Sequence, residues 1–200
     1  GYVPTDRFPP YEDDETSRAF AKDLTVPLPP RGNGDNGVAG LVVDRLGWMD
    51  DESVALRRTM AETLRGCYGP VSWFADDETA AGADRAEADR AFVVLVVRDG
   101  TEPVGTVTLS AAPQGRPADW GELERLLVLP SARGRGVARL LLREVEAEAA
   151  ARGLSTVTLS TGYRQYPAMR LYLSSGYRIV APVGDDWPRQ GRLFWFAKPL

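Results

Sequence analysis

Two runs of β-branched residues separated by a short turn constrain the fold of this chain more than any other feature. The segment from Ala91 to Ala112 reads AFVVLVVRDGTEPVGTVTLSAA, with Arg98-Asp99-Gly100 between the runs. β-Branched residues favour extended backbone, and an Asp-Gly pair favours a tight hairpin turn. The segment therefore predicts two antiparallel strands, so the domain must be built around a sheet.

A strand, a glycine-bearing loop and a long helix follow the hairpin. The predicted strand runs from Trp120 to Leu129, and the loop is Arg133-Gly134-Arg135-Gly136-Val137-Ala138. Apolar residues then recur every four positions from Val137 to Ala149, the spacing of one helix face. Further strands are predicted at 156–160, 177–180 and 193–198, and a helix at 166–174. A hairpin and a strand-helix-strand crossover in one chain predict a mixed α/β domain.

The first part of the chain has a different composition from the rest. Six of the 15 prolines and the acidic run 12–15 lie within residues 1–36. This composition predicts an extended or poorly ordered arm at 1–36 and one globular domain at 37–200. Within the domain, an amphipathic helix is predicted from Glu52 to Arg65, ended by Gly66, and a loop with some helix from Asp76 to Arg90.

Charge and hydropathy argue against two classes of partner. The 24 lysines and arginines against 28 aspartates and glutamates give a formal charge of −4, the wrong sign for a nucleic-acid partner. The longest apolar run, from Ala91 to Val97, is far shorter than the roughly 20 residues of a membrane helix. The first residues also lack the basic and apolar stretches of a signal peptide, so a cytoplasmic protein is expected.

The chain has no histidine and one cysteine, Cys67. This excludes Ser-His-Asp and Cys-His hydrolases, and it excludes a structural zinc site, which needs about four Cys or His ligands. We therefore expect no metal, and a general base must be a carboxylate, an amine, a tyrosine or a water molecule. Cys67 is predicted to be a packing residue in a reducing compartment.

The loop from Arg133 to Ala138 is a candidate anion site. It lies before a helix, where backbone N–H groups are free and the helix dipole favours negative charge. Glycines allow a diphosphate to approach the backbone, and the arginines add positive charge. The loop lacks the third glycine of the dinucleotide fingerprint and the Gly-Lys-Ser/Thr of a P-loop, so an ordinary surface turn is the alternative.

Two motifs in order carry a more specific resemblance. Leu126-Leu127-Val128-Leu129-Pro130 followed by Arg133-x-x-Gly136-x-Ala138 resembles the acetyl-CoA signature of the GNAT superfamily of N-acetyltransferases. About 30 residues later, Gln165-x-x-Ala168-x-x-Leu171-Tyr172 and Ser175-Gly176-Tyr177 resemble the second motif of that superfamily. The resemblance spans roughly Val38 to Leu200. It implies a mixed, mostly antiparallel sheet flanked by helices, with two splayed strands forming an acetyl-CoA cleft.

The resemblance also implies a set of cofactor-binding residues. The backbone of Leu126, Leu127 and Val128 would bind the pantetheine arm as an added strand would. The loop residues would hold the pyrophosphate: Arg133, Gly134, Arg135, Gly136, Val137 and Ala138. Gln165 stands where the superfamily often has asparagine, and it would contact the cofactor.

The implied chemistry is direct attack of an amine on acetyl-CoA in a ternary complex. A backbone N–H near Val128 would face the oxyanion. Tyr172 matches the tyrosine that protonates the leaving thiolate in the family, and a packing role for its ring is the alternative.

Two carboxylates are candidates for the general base. Glu122 matches the position of a catalytic glutamate in some superfamily members, Glu124 is the second candidate, and a water chain is the third. Period-two alternation predicts that both side chains share one face of the strand, together with Leu126 and Val128. The alternative is an acidic strand edge paired with Arg125 or another arginine.

We predict from these residues an N-acetyltransferase whose acceptor is a small primary amine, since the acidic chain attracts cations. The alternatives are a catalytically silent acyl-CoA-binding module, an acetyltransferase of peptide or protein amino groups, and a nucleotide-binding protein that uses the same loop. The acceptor pocket is expected among 52–66, 76–90 and 183–192, with Trp187 and Trp195 as candidate lining residues. A homodimer is left open.

Overall fold

A computed structural model describes residues 38–68, 85–112, 114–181 and 193–200, with the backbone of two short strands, β1 (Val3–Pro4) and β2 (Phe20–Ala21). The chain divides into two compact units, Gly1–Gly32 and Asn33–Leu200. In the first unit, β1 and β2 pair antiparallel. Most of the predicted 1–36 arm, the segment 76–84 and the segment 183–192 with Trp187 lie outside the described residues.

The second unit contains the predicted strands and helices. Its further strands are β3 (Leu41–Leu46), β4 (Ala91–Asp99), β5 (Glu102–Ala111), β6 (Trp120–Val128), β7 (Thr156–Gly162), β8 (Arg178–Val180) and β9 (Leu193–Pro199). Its helices are α1 (Asp51–Tyr68), α2 (residues 85–90), α3 (Val137–Ala151) and α4 (Tyr166–Ser174), with a 3₁₀ turn at Pro130–Ala132. The hairpin and the strand-loop-helix order are confirmed.

One sheet of seven strands forms the centre of this unit, in the order β3-β4-β5-β6-β7-β9-β8. Every neighbouring pair is antiparallel except β6 and β7, which are parallel because α3 connects them. The prediction of a mixed, mostly antiparallel sheet is therefore confirmed.

The two faces of the sheet carry different residues. The face against α3, called the α3 face below, holds the main core, in which Leu95, Leu109, Leu141 and Leu159 are fully buried. Each such side chain contributes about 1.5–3 kcal/mol on leaving water. The opposite face, called the α1 face, has a smaller apolar cluster formed by Trp48, Leu56, Val94 and Val96.

A β-bulge interrupts the alternation of β6. One residue of β5 separates Thr106 from Thr108, whereas two residues of β6 separate their partners Leu127 and Glu124. Arg125, with a φ of 57°, is the only non-glycine residue with positive φ in the described part of the chain. Such a backbone conformation is costly outside glycine, and a bulge is where it commonly occurs.

The bulge overturns one prediction about the faces of β6. Leu123 before the bulge and Leu126 and Val128 after it all pack on the α3 face, whereas Glu122 and Glu124 lie on the α1 face. The prediction that Leu126 and Val128 share a face with the two glutamates is therefore wrong. Period-two alternation fails here because the extra residue reverses the direction of every later side chain.

Helix α1 is longer than predicted. It continues through Gly66 to Tyr68, although glycine often ends a helix. The added turn contacts the connection between β7 and α4, where the backbone N–H of Arg164 donates to the Tyr68 hydroxyl at 3.3 Å. Tertiary contacts therefore outweigh the low helix propensity of Gly66.

Candidate active site

The candidate site lies where β6 and β7 separate. The two strands pair only at Trp120 with Thr156, Gly121 with Val157 and Glu122 with Thr158. Beyond Glu122, β6 stays paired with β5, and β7 stays paired with β9, so a gap opens in the middle of the sheet. This is the splayed pair that the resemblance implies, and it leaves room for an extended ligand beside Leu126–Val128.

The glycine loop lies at the end of β6 and leads into α3. Gly134 and Gly136 adopt left-handed φ values of 78° and 89°, and Gly136 is the N-cap residue of the helix without a side-chain cap. Among the described residues, none accepts a hydrogen bond from the backbone N–H groups of residues 134–138. These free donors at a helix N-terminus fit an anion such as a pyrophosphate.

The arginines of the loop are partly engaged by the protein itself. Arg133 donates from Nε to the Val128 carbonyl at 3.1 Å, and Arg135 forms an ion pair with Asp99 at 2.7 Å. The candidate anion site therefore offers free backbone donors more than free arginine charge.

Glu122 is buried on the α1 face, with 7% of its surface exposed. Arg90, at the end of α2, donates from Nη2 to Glu122 Oε2 at 2.5 Å and to the Ala111 carbonyl at 2.8 Å. Burial, followed by the nearby charge of Glu124, raises the pKa of Glu122 to about 7, although Arg90 acts in the opposite direction. A carboxyl group with this pKa can exchange a proton near neutral pH.

Polar atoms without partners surround Glu122 on the α1 face. Glu124 Oε2, Thr106 Oγ1 and Ser110 Oγ are buried, and none has a hydrogen-bond partner in the described part of the chain. Buried polar groups in native proteins are nearly always satisfied. This face of the sheet is therefore suited to a polar ligand.

Arg125 does not pair with either candidate base. Its guanidinium donates to both carboxylate oxygens of Glu87 on α2, at 2.6 and 2.5 Å. Arg125 is thus not the partner of either glutamate, and the alternative of an acidic strand edge paired with an arginine holds for Glu122 through Arg90. The Arg125–Glu87 pair holds the residue at the bulge.

Tyr172 lies on α4 with its ring in the main core. Its ring centroid is 5.8 Å from that of Tyr177 and 5.6 Å from that of Phe196, and 4% of the residue is exposed. Burial raises the pKa of the Tyr172 hydroxyl above its ordinary value, so it stays protonated at neutral pH. Its hydroxyl has no hydrogen-bond partner among the described residues. The ring therefore packs in the core, and a proton-donor role stays a prediction.

Gln165 precedes α4 and faces the end of α1. Its amide nitrogen is 3.8 Å from the Cys67 sulfur, and Arg164 beside it donates to the Cys67 carbonyl at 2.9 Å. Gly162 allows this approach, because a Cβ there would lie 2.1 Å from the Tyr68 hydroxyl. The structure therefore links the predicted cofactor residue Gln165 to α1, and Cys67 is half-buried at this contact.

Sequence reasoning missed several residues of this region. Arg90 carried no signal, since it ends a polar stretch and meets Glu122 only through the fold. Thr106 and Ser110 could have been found from the sequence, because serine and threonine alternate with apolar residues along β5 and so share a face. In the described part of the chain, no group of three or more His, Cys, Asp or Glu side chains could hold a metal ion. No described helix has both the length and the apolar character to cross a membrane.

Comparison with known proteins agrees with this geometry. Residues 57–177 match the model of the acetyltransferase (GNAT) family. The chain is 37% identical over 106 residues to an IAA acetyltransferase of Azospirillum brasilense, covering 53% of this chain and 67% of that protein. It is 38% identical over 85 residues to an aminoalkylphosphonate N-acetyltransferase of Salmonella typhimurium, covering 42% of this chain and 54% of that protein.

A solved structure shares the fold. The PaiA N-acetyltransferase of Thermoplasma acidophilum, in complex with coenzyme A, superposes with a TM-score of 0.56 at 15% identity. The match covers 80% of this chain and 99% of that one. The matching family model spans more than half of the chain and includes both motifs. The chain therefore belongs to the GNAT family of acetyltransferases.

Proposed function

We propose that this protein transfers an acetyl group from acetyl-CoA to the primary amine of a small molecule by direct attack in a ternary complex. The observation that carries the proposal is the gap beyond Glu122 and Thr158, which opens beside a glycine loop with free backbone donors. The relatives support it further, since their names describe acetyltransferases, one of them acting on aminoalkylphosphonates.

Acetyl-CoA, when bound, supplies a thioester whose acetyl carbon accepts the amine and whose thiolate leaves. The residues suited to hold it are the backbone of Leu126–Val128, the loop Arg133–Ala138 and Gln165. The fit rests on the free N–H groups at the start of α3 and on the left-handed Gly134 and Gly136, which leave the backbone open to a diphosphate.

In the proposed reaction, residues of this chain accept one proton and donate another. Glu122, directly or through water, accepts the proton that the amine releases as its C–N bond forms, and a pKa near 7 suits this task. The Tyr172 hydroxyl donates a proton to the sulfur as the C–S bond breaks. A backbone N–H near Val128 stabilises the negative charge that develops on the acetyl oxygen.

The test is acetyl-CoA turnover by the full chain with a panel of small amines, amino acids, polyamines and amino-terminal peptides. We expect release of CoA with small amines. A Gly136→Trp variant should lose acetyl-CoA affinity, because the indole fills the loop and φ near 89° disfavours any side chain. Arg139→Ala should lose far less, and equal affinities of Gly136→Trp and the parent would contradict the cofactor assignment.

Two outcomes separate the alternatives. Binding of acetyl-CoA without turnover of any amine would favour a silent acyl-CoA-binding module. Turnover only with peptides would move the acceptor class to protein amino groups.

A further inference from the structure

The connection between β5 and β6 places an unusual arginine on the α1 face. The Arg116 guanidinium carbon lies 5.3 Å from the ring centroid of Trp120 and 5.7 Å from that of Trp195. One of its nitrogens donates to the Ala181 carbonyl at 3.3 Å. Trp120 lies two residues before Glu122 on β6, so both side chains are on the α1 face. Trp195 lies opposite Ser160, which is two residues after Thr158, the partner of Glu122, so the Trp195 ring is on the same face.

No carboxylate neutralises this guanidinium within the part of the chain that the structure describes. Arg90, Arg98 and Arg125, by contrast, each form ion pairs with glutamate or aspartate side chains. Burial lowers the pKa of Arg116, and only the more distant charge of Glu122 opposes that effect. A guanidinium that is partly removed from water and lacks a counter-charge is energetically costly, so an anionic partner would stabilise it.

Two further donors at this position lack acceptors. Arg116 Nε and Trp195 Nε1 are both buried N–H groups without a hydrogen-bond partner among the described residues. Both groups can only donate hydrogen bonds, so their partner must be an acceptor, and the positive charge of Arg116 favours an anion over a water molecule. A cation with adjoining unsatisfied N–H groups is the donor set that binds carboxylates and phosphonates.

A buried acceptor without a donor lies further along β6. Glu124 Oε2 is a buried carboxylate oxygen without a donor in the described residues. Glu124 is four residues from Trp120 on the same face, which places their Cα atoms roughly 13 Å apart. It also stands beside the gap that opens beyond Glu122 and Thr158. The α1 face therefore has a buried acceptor without a partner beside the gap, at Glu124, and buried donors without partners near Trp120 and Trp195.

We propose that the acceptor is a small amine that also carries an acidic group, with Arg116 and the Trp195 N–H binding the acid and Glu124 receiving the amino group. This inference rests on the proposed acetyltransferase function and narrows its substrate class. The ligand class is an amine joined by a few carbon atoms to a carboxylate, sulfonate or phosphonate, with the side chains of Arg116 and Glu124 spanning the rest of the roughly 13 Å between the Trp120 and Glu124 Cα atoms.

The experiment compares acceptors that differ in their acidic group. The full chain is assayed for kcat/KM with β-alanine, taurine and 2-aminoethylphosphonate, and with the neutral ethanolamine and 2-methoxyethylamine. We expect the acid-bearing amines to exceed the neutral ones by at least about tenfold, since the neutral amines lack the charged hydrogen bonds to Arg116. The three acids also show which anionic group the site prefers.

Variants assign the preference to Arg116. Arg116→Gln should lower kcat/KM for the acid-bearing amines by about 10- to 100-fold and leave the neutral amines nearly unchanged. Arg116→Lys keeps the charge but loses the planar guanidinium, so its kcat/KM for the acid-bearing amines should lie between those of the parent and Arg116→Gln. Arg152→Gln, at the exposed C-terminal end of α3, makes the same change in charge and should leave the preference intact.

Several results would overturn the inference. One is equal use of acidic and neutral amines by the parent, and another is an equal loss for both classes in Arg116→Gln, which would mean that the arginine only supports the two tryptophans. If Arg116→Gln fails to fold, as judged by its urea transition, the result with Arg116→Lys decides, and an unchanged preference in that variant would count against the inference.

A binding measurement separates this inference from the proposed function. N-acetyl-β-alanine and N-acetylethanolamine are titrated into the full chain in the presence of CoA, with tryptophan fluorescence as the signal. Saturable binding of the acidic compound alone, lost in Arg116→Gln, would support the anion site even if no amine in the panel is acetylated. An equal fluorescence response to the acidic and the neutral compound would exclude the anion site, whether or not any amine is acetylated.

Discussion

The fold shifts the pKa of Glu122 to near neutral pH. Burial and the neighbouring Glu124 raise its pKa to about 7, while Arg90 favours the charged form from 2.5 Å away. Its proton is therefore lost near neutral pH instead of near pH 4.5. This has one consequence for activity and another for stability.

The activity of the parent should follow the ionisation of Glu122. Below about pH 7 the carboxyl group is protonated and cannot act as a base, so kcat/KM should rise with pH up to that value. In Glu122→Gln the rise should disappear, and kcat/KM should fall by about 10² or more at pH 7, with partial recovery at higher pH, where more of the amine is neutral. Glu144→Gln, on α3 and so away from the α1 face, is the control. An unchanged pH profile in Glu122→Gln would assign the base to Glu124 or to water.

The stability of the parent should change in the opposite sense. The folded-state pKa of Glu122 lies above its ordinary value of 4.5, so ionisation opposes folding: stability is greatest below pH 4.5 and declines as pH rises to about 7. The decline is at most about 3 kcal/mol. In urea unfolding, Glu122→Gln should lack this decline, and the difference between parent and variant should narrow at acidic pH.

Tyr172 offers a second test at the level of one atom. Tyr172→Phe removes the proposed proton donor and keeps the ring that packs against Phe196. Since its hydroxyl has no described hydrogen-bond partner, stability should change little. The turnover number should fall by about 10² to 10⁴ with acetyl-CoA affinity nearly constant.

Tyr177 is the matched control for that substitution. Its ring lies 5.8 Å from that of Tyr172, and its hydroxyl is buried beside the Glu146 carboxylate. Tyr177→Phe should leave kcat unchanged and should cost about 1 kcal/mol of stability, since it removes the hydroxyl that faces Glu146. Near-parent turnover of Tyr172→Phe from pH 6 to 10 would show that Tyr172 is a packing residue only.

At the level of elements, the end of α1 is held against the connection from β7 to α4. The contact depends on Gly162, because a Cβ there would lie 2.1 Å from the Tyr68 hydroxyl and 2.8 Å from the adjoining ring carbon. Gly162→Ala should therefore displace the Tyr68 ring and weaken its bond from the Arg164 N–H, at a cost of about 1–3 kcal/mol. Urea unfolding measures this cost.

Two controls make the contact specific. Gly66→Ala in α1 has open space around the new methyl group and should stabilise the protein by about 0.5–1 kcal/mol. In a Tyr68→Ala background, Gly162→Ala should cost little, since the clashing ring is gone. A cost of Gly162→Ala that persists in that background would place its origin in the backbone of β7.

The bulge in β6 could not be predicted from the sequence. The bulge at Arg125 has no marker in the local pattern, since the run from Trp120 to Val128 contains neither glycine nor proline at the bulged position. Its position follows from pairing with β5 and from the contact with Glu87 on α2. Reading alternation alone therefore assigned Leu126 and Val128 to the wrong face.

At the level of the whole molecule, the chain divides at Gly32 and Asn33. The resemblance and the matching family model both lie within the second unit. Deleting residues 1–32 should leave acetyl-CoA affinity within about twofold, well below the tenfold change that about 1.4 kcal/mol represents. Isothermal titration with the parent and the shortened chain measures it. A larger loss would show that the first unit contributes to cofactor binding.

The sequence by itself determined the order of strands and helices from Ala91 onward, the glycine loop and the family, because these depend on neighbours a few residues apart, whereas β3 was not predicted. β-Branched runs, a helix-period stripe and a loop of fixed spacing carry their structure locally. The boundaries of α4, Tyr166 to Ser174, were predicted to the residue, whereas α1 ran past Gly66.

Only the tertiary structure decided which side chains meet. Arg90 and Glu122 are 32 residues apart, and Arg116 meets Trp195 from another connection of the sheet. These contacts depend on strand register, on one bulge and on the packing of α2 and β9, and no local pattern encodes them. The predicted roles of Tyr172, Gln165 and the loop backbone stay predictions. The side chains that surround Glu122 on the α1 face could be assigned only from the register of the sheet, since one extra residue in β6 determines which side chains share that face.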